Sequence, residues 1–122
     1  MWLFPSYRKD GFRCSTAVGY LNPIKKRENL FIITNAHVKK INFENKTAKS
    51  VEYWQDNELK KINCNKEIVL SSGAIGSPQI LQTSGIGNSD KLRNLGIEMV
   101  HELKGVGENL QDHLMFRPIY KV

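Results

Sequence analysis

The run KEIVLSSGAIGSPQILQTSGIG, Lys66 to Gly87, constrains this chain more than any other part of it. Its apolar opening, Glu67 to Leu70, reads as a buried strand. Gly73, Ala74 and Gly76 follow at once, and then Ser77-Pro78. Serine is a good helix N-cap and proline suits the first helical position, so a helix is expected from Ser77. Ile80 stands where a capping box would place Glu or Gln, so the box is incomplete. Gly85 is a natural stop. Small residues between a strand and a helix let something large approach the backbone, where a helix start presents unpaired N–H groups and partial positive charge. The spacing is not GxGxxG, and Gly-Ala-Ile-Gly alone also serves as a tight packing turn.

Upstream, the pattern changes to alternation. Ala36 to Phe43, Ala48 to Trp54 and Glu58 to Cys64 each read as half-exposed strands, with Val51 and Tyr53 on one face. Glu44-Asn45-Lys46 and Asp56-Asn57 are turn signals, so the three strands make an antiparallel meander. Before it, Leu30 to Thr34 is a short apolar run expected as a buried strand. Residues 1–29 are irregular, punctuated by Gly11, Asn22 and Pro23, with a short helix over Ser15 to Leu21. Downstream, a second short helix spans Ser89 to Leu95 and ends at Gly96. Ile97 to Leu103 is extended, and 104–113, KGVGENLQDH, is a polar loop.

A length of 122 residues suits one domain with a modest core. The net charge of +6 raises nucleic acid as a partner, but the lysines stand as scattered pairs such as Lys39-Lys40 and Lys60-Lys61. No basic stripe interleaves with aromatics, so nucleic acid is not expected. No apolar run approaches the roughly 18 residues of a membrane span. Cys14 and Cys64 have no metal spacing and amount to two thiols or at most one bridge. Asn45-Lys46-Thr47 is a glycosylation sequon that matters only in a secreted chain. The opening MWLFPSYRKDG lacks the pattern of a secretory leader, and the compartment stays open.

The fifteen residues Gly73 to Gly87 resemble a signature segment of the glucose–methanol–choline (GMC) family of flavoprotein oxidoreductases. That signature is a small pair, two free positions, Ser or Thr with Pro, one free position, two aliphatics, two free positions, then Ser-Gly-aliphatic-Gly. Gly73-Ala74, Ser77-Pro78, Ile80-Leu81 and Ser84-Gly85-Ile86-Gly87 fill every constrained position. The likeness extends through GFRCST, Asn22-Pro23 and RENLFIITNAHVKKINF upstream, and through GVGENLQDH downstream. It is similar in particular to the glucose dehydrogenase and choline dehydrogenase branches.

The resemblance implies FAD as cofactor and oxidation of an alcohol or sugar at a CH–OH carbon, with hydride passing to the flavin. It implies an α/β fold: a partial Rossmann-like FAD-binding domain with the antiparallel meander inserted between two of its strands. Val38 would lie against the FAD adenine through its backbone. Ser72, Gly73 and Ala74 would line the FAD cavity. The stretch from Asn109 to His113 would run near the flavin and substrate, with His113 lining the cavity rather than acting as base. His37 and His101 are expected at the surface. The family's GxGxxG, and the downstream His paired with a second His or an Asn, are not in this sequence. The expectation is therefore an internal piece, residues 1–122, of a longer enzyme's FAD-binding domain, one that folds poorly and holds FAD weakly by itself. A non-catalytic module binding an anionic partner, and a degenerate remnant, stand as alternatives.

Overall fold

The computed structural model describes residues 8–9, 12–116 and 118–120, and the chain divides into two units, Met1–Thr34 and Asn35–Val122. In the first, strands β1 (Arg8–Lys9) and β2 (Phe12–Arg13) pair antiparallel. The helix expected over Ser15 to Leu21 is one wide turn, Ala17–Leu21. Asn22 N–H donates to the Ala17 carbonyl at 2.8 Å, the five-residue spacing of a π-helix. Most of the opening segment read for a leader, and the Gly11 punctuation, lie outside the described residues.

The second unit begins with the meander, close to the expected boundaries: β3 (His37–Glu44), β4 (Thr47–Gln55) and β5 (Glu58–Asn63), in the order β3-β4-β5. Both turns are two-residue turns with positive φ throughout, at Asn45 and Lys46 (49° and 65°) and at Asp56 and Asn57 (53° and 62°). This is the type I′ geometry, whose twist matches that of the flanking strands. Ile41, Val51 and Ile62 stand opposite one another across the sheet. Ile41 and Tyr53 are buried. A polar row runs beside them. The Asn42 amide donates to Ser50 Oγ at 3.1 Å and to Glu52 Oε1 at 3.0 Å. That amide, followed by Lys40 and Lys39, holds the Glu52 carboxyl below its ordinary range.

Two expected strands do not form. Neither Leu30 to Thr34 nor Glu67 to Leu70 joins a ladder among the described residues. Both carry apolar side chains in the open: Phe31 is 86% exposed and Val69 77%. A strand exists only through a partner, and runs apolar on both faces need neighbours on both. The sequence pattern reports that need, and no described strand pairs with either run.

The helix after the glycine turn starts earlier than its capping signal suggests. Helix α1 spans Gly73–Thr83 with Ser72 at its N-cap, so Ser77 and Pro78 lie inside it. The cause is Gly73, whose φ of +82° turns the chain into the helix four residues ahead of Ser77. Ser77 still serves the helix start, accepting the Ser72 N–H on its Oγ at 3.0 Å. Pro78, lacking an N–H, leaves the Ala74 carbonyl without its usual partner.

After α1 come β6 (Ile86–Gly87), α2 (Ser89–Asn94) and β7 (His101–Glu102), with β6 and β7 parallel. Asn88 caps α2, its Oδ1 accepting from the N–H groups of Asp90 and Lys91 at 3.1 Å. Leu92 is 1% exposed beneath it. Among the described residues, Ile41, Tyr53, Leu92 and Val106 are the buried large apolar side chains, which is a small core. Both cysteines are free thiols. No described helix is long and apolar enough to cross a membrane.

Candidate functional site

The signature run does two jobs, divided at Ser84. Its second half joins α1 to the rest of the unit. Strand β3 is an edge strand, so part of its backbone needs partners outside the sheet. Ser84, buried, accepts the Ile41 N–H at 2.8 Å and donates to the Ile80 carbonyl. Thr83 donates to the Lys39 carbonyl at 3.1 Å and clips the same edge. Gly85 has a φ of +86°, and its carbonyl accepts Val100 N–H at 2.8 Å. A methyl group there would overlap the Glu98 carbonyl oxygen. Gly87 packs against Leu92, and its carbonyl accepts Leu103 N–H at 2.9 Å. What approaches Gly85 is the chain's own backbone, and what approaches Gly87 is the side chains of Gln82 and Leu92. Ser84→Ala strands the Ile41 N–H in a buried place. The expected loss is about 1–3 kcal/mol, measured by urea unfolding, with Ser89→Ala at an exposed hydroxyl as the near-neutral control.

The first half remains open. A Cβ on Gly73 would meet nothing within 4 Å. Two clefts of about 420 Å³ flank α1. The first is bounded by β3 and the helix, and Val38, Trp54, Ser72, Gly76, Ile80 and Thr83 are among its walls. The second lies between the helix and the downstream loop, where Ala74, Pro78, Gln82, Gly107 and Leu110 border it. The loop is pinned there. Gln82 Nε2 donates to the Val106 carbonyl at 3.1 Å, and Lys91 pairs with Glu108.

The sequence-expected residues are partly gathered. Val38 and Ser72 share the first cleft, and Ala74 borders the second. Gly73 sits between Ser72 and Ala74 in the chain, at the helix start. Asn109, at φ +55°, and His113 are exposed and border neither cleft. The His113 N–H donates to Asp112 Oδ1 at 2.7 Å. His101 is exposed as expected, and His37, also exposed, nevertheless borders the first cleft. Sequence reasoning missed Trp54 and Thr83 as wall residues. Trp54 had a readable signal, a large aromatic closing an alternating strand. Thr83 had none, because its contact lies 44 residues away.

These features suit a flat, extended and anionic group. The clefts mix small and apolar walls with the polar side chains of His37, Lys39, Gln79, Gln82 and Glu108, and the first N–H groups of α1 lack helical partners. Among the described residues no cluster of His, Cys, Asp and Glu could hold a metal ion.

Two clefts thus flank a glycine-opened helix that a three-stranded meander braces. The chain belongs to the GMC oxidoreductase family, whose profile matches residues 2–115. It is 55% identical over 104 residues to an oxygen-dependent choline dehydrogenase of Chromohalobacter salexigens, covering 85% of this chain and 19% of that protein. A solved FAD-dependent oxidoreductase from Chaetomium thermophilum superposes with a TM-score of 0.79 at 38% identity, over 82% of this chain and 18% of that one. Pyridoxine 4-oxidase from Mesorbium loti does so with a TM-score of 0.72 at 30% identity, over 78% and 19%. The chain spans about one fifth of the length of the curated relatives it matches.

Proposed function

We propose that this chain is part of the FAD-binding domain of an oxidoreductase acting on CH–OH groups of alcohols or sugars. FAD is the cofactor that the family and its solved relatives indicate. The observation that carries the reading is the match over nearly the whole chain, centred on a helix start left open beside Gly73. When bound, FAD accepts the hydride taken from the substrate carbon. In this reading Val38, Ser72, Gly73 and Ala74 form one wall of its site, mainly through backbone. Asn109 and His113 belong to the loop that completes the cavity. The choline dehydrogenase likeness supports a small alcohol as substrate. The finer architecture is a Rossmann-like sheet that the runs Leu30 to Thr34 and Glu67 to Leu70 enter once paired, with the meander between them. Their exposed apolar side chains support this.

Flavin retention tests it. The 122-residue chain is expected to lose FAD on desalting, whereas a longer product extended in both directions stays yellow and binds about one flavin per chain. Tight flavin on the short chain would show that the wall suffices alone. No flavin on either would remove the FAD reading.

A further inference from the structure

Gln82 fills one of the positions that the Gly73 to Gly87 signature leaves free, yet three segments of the second unit meet at it. It lies in the last turn of α1 and is half-buried. Its Nε2 donates to the Val106 carbonyl at 3.1 Å. Two glycines leave room for the side chain. A carbon added to Gly87 would stand 3.3 Å from its Cγ, and one added to Gly107 only 2.6 Å from its Nε2. Gly107 also has a φ of +78°, so its backbone and its missing side chain both suit this passage. The loop that Gln82 grips has few other holds. From Lys104 to Phe116, Val106 is the one buried residue. The Lys91–Glu108 pair is a second tether, but both partners are well exposed and such pairs contribute little. The second cleft therefore has one wall on a helix, at Ala74 and Pro78, and the other on a lightly fastened loop, at Gly107 and Leu110. Gln82 borders that cleft and supplies the bond that joins its two walls.

We infer that Gln82 is a positioning residue: its amide latches the loop from Gly105 to His113 onto α1 and so fixes the width of the second cleft for bound cofactor. The inference rests on the FAD reading, in which that loop completes the cavity. Gln82 touches no reacting atom and acts through the loop. A loop with one buried side chain belongs to the part of a fold that opens first, so losing one hydrogen bond shifts its closed population. A ligand that needs the closed loop then binds more weakly in proportion.

The test uses the full-length enzyme that contains this chain, stripped of flavin. It combines FAD titration with hydrogen exchange of the loop amides and urea unfolding. Gln82→Met keeps the reach of the side chain without its donor. Gly107→Ala keeps the glutamine but pushes its amide off the Val106 carbonyl. Expected for Gln82→Met are loop exchange about 3–10-fold faster and an FAD dissociation constant about 3–10-fold weaker, with exchange in the meander unchanged. Gly107→Ala should weaken FAD at least as much. In the Gln82→Met background its further effect should shrink by about threefold or more, because the bond it breaks is already gone and the thioether can swing aside. Wild-type loop exchange in Gln82→Met would overturn the latch, as would a rise shared equally by the meander. Unchanged FAD affinity with a released loop, or effects of the two substitutions that simply multiply, would overturn the positioning role. A wild-type enzyme that never takes up FAD would instead remove the cofactor reading beneath the inference, and the inference with it.

Discussion

Gly85→Ala is expected to destabilise the fold by about 3–5 kcal/mol, which for a core this small means loss of the cooperative transition. Two effects add. A φ of +86° costs an L-residue about 1–2 kcal/mol by itself. The added methyl would also overlap the Glu98 carbonyl oxygen and press on the Val100 N at 3.0 Å. Relief requires the Gly85–Val100 hydrogen bond and the β6–β7 pair to separate. Gly96→Ala is the control: its φ is +67°, but nothing lies within 4 Å of the new carbon. It should cost only about 1–2 kcal/mol. Urea unfolding followed by circular dichroism separates the two. Equal losses would mean that backbone conformation alone, and not the close approach, constrains Gly85.

Gly73→Val is expected to abolish flavin retention in the longer product, a loss of at least about 100-fold in affinity. The reason is steric. Among the described residues nothing lies within 4 Å of a carbon added to Gly73, and in the proposed site that space belongs to the cofactor. Gly96→Val carries the same kind of backbone penalty at the end of α2, away from both clefts. Its stability should fall comparably while flavin absorbance stays at the wild-type ratio. If both variants lose flavin together, the effect is one of folding and Gly73 has no special place in the site.

The contrast between Gly73 and Gly85 shows what the sequence could tell and what it could not. Both are invited by the same signature, yet one faces open space and the other a carbonyl 13 residues further on. No local pattern separates those cases. The meander was legible because its information is local: period-two alternation, with Asn45-Lys46 and Asp56-Asn57 able to adopt positive φ. The start of α1 was misread because Ser77-Pro78 carries a strong capping signal, while the conformation of Gly73 decides the matter. The runs LFIIT and EIVL have the composition of buried strands yet form neither a strand nor a buried segment among the described residues, because a ladder depends on partners that local residues do not specify. The candidate site was half legible. Val38, Ser72 and Ala74 come to the clefts, while Trp54 becomes visible only when β4 is placed beside α1.

The two-residue turns of the meander also bear on the order in which this polypeptide acquires structure. Every pairing from His37 to Asn63 closes through a neighbour in the chain. Hairpins of this kind form in about 1–10 μs, whereas a ribosome adds only about 5–20 residues per second. The meander therefore has ample time to assemble before α1 has emerged from the ribosome. Its unpaired β3 edge then waits for Thr83 and Ser84, whose hydroxyls arrive later in translation and dock onto a strand already in place.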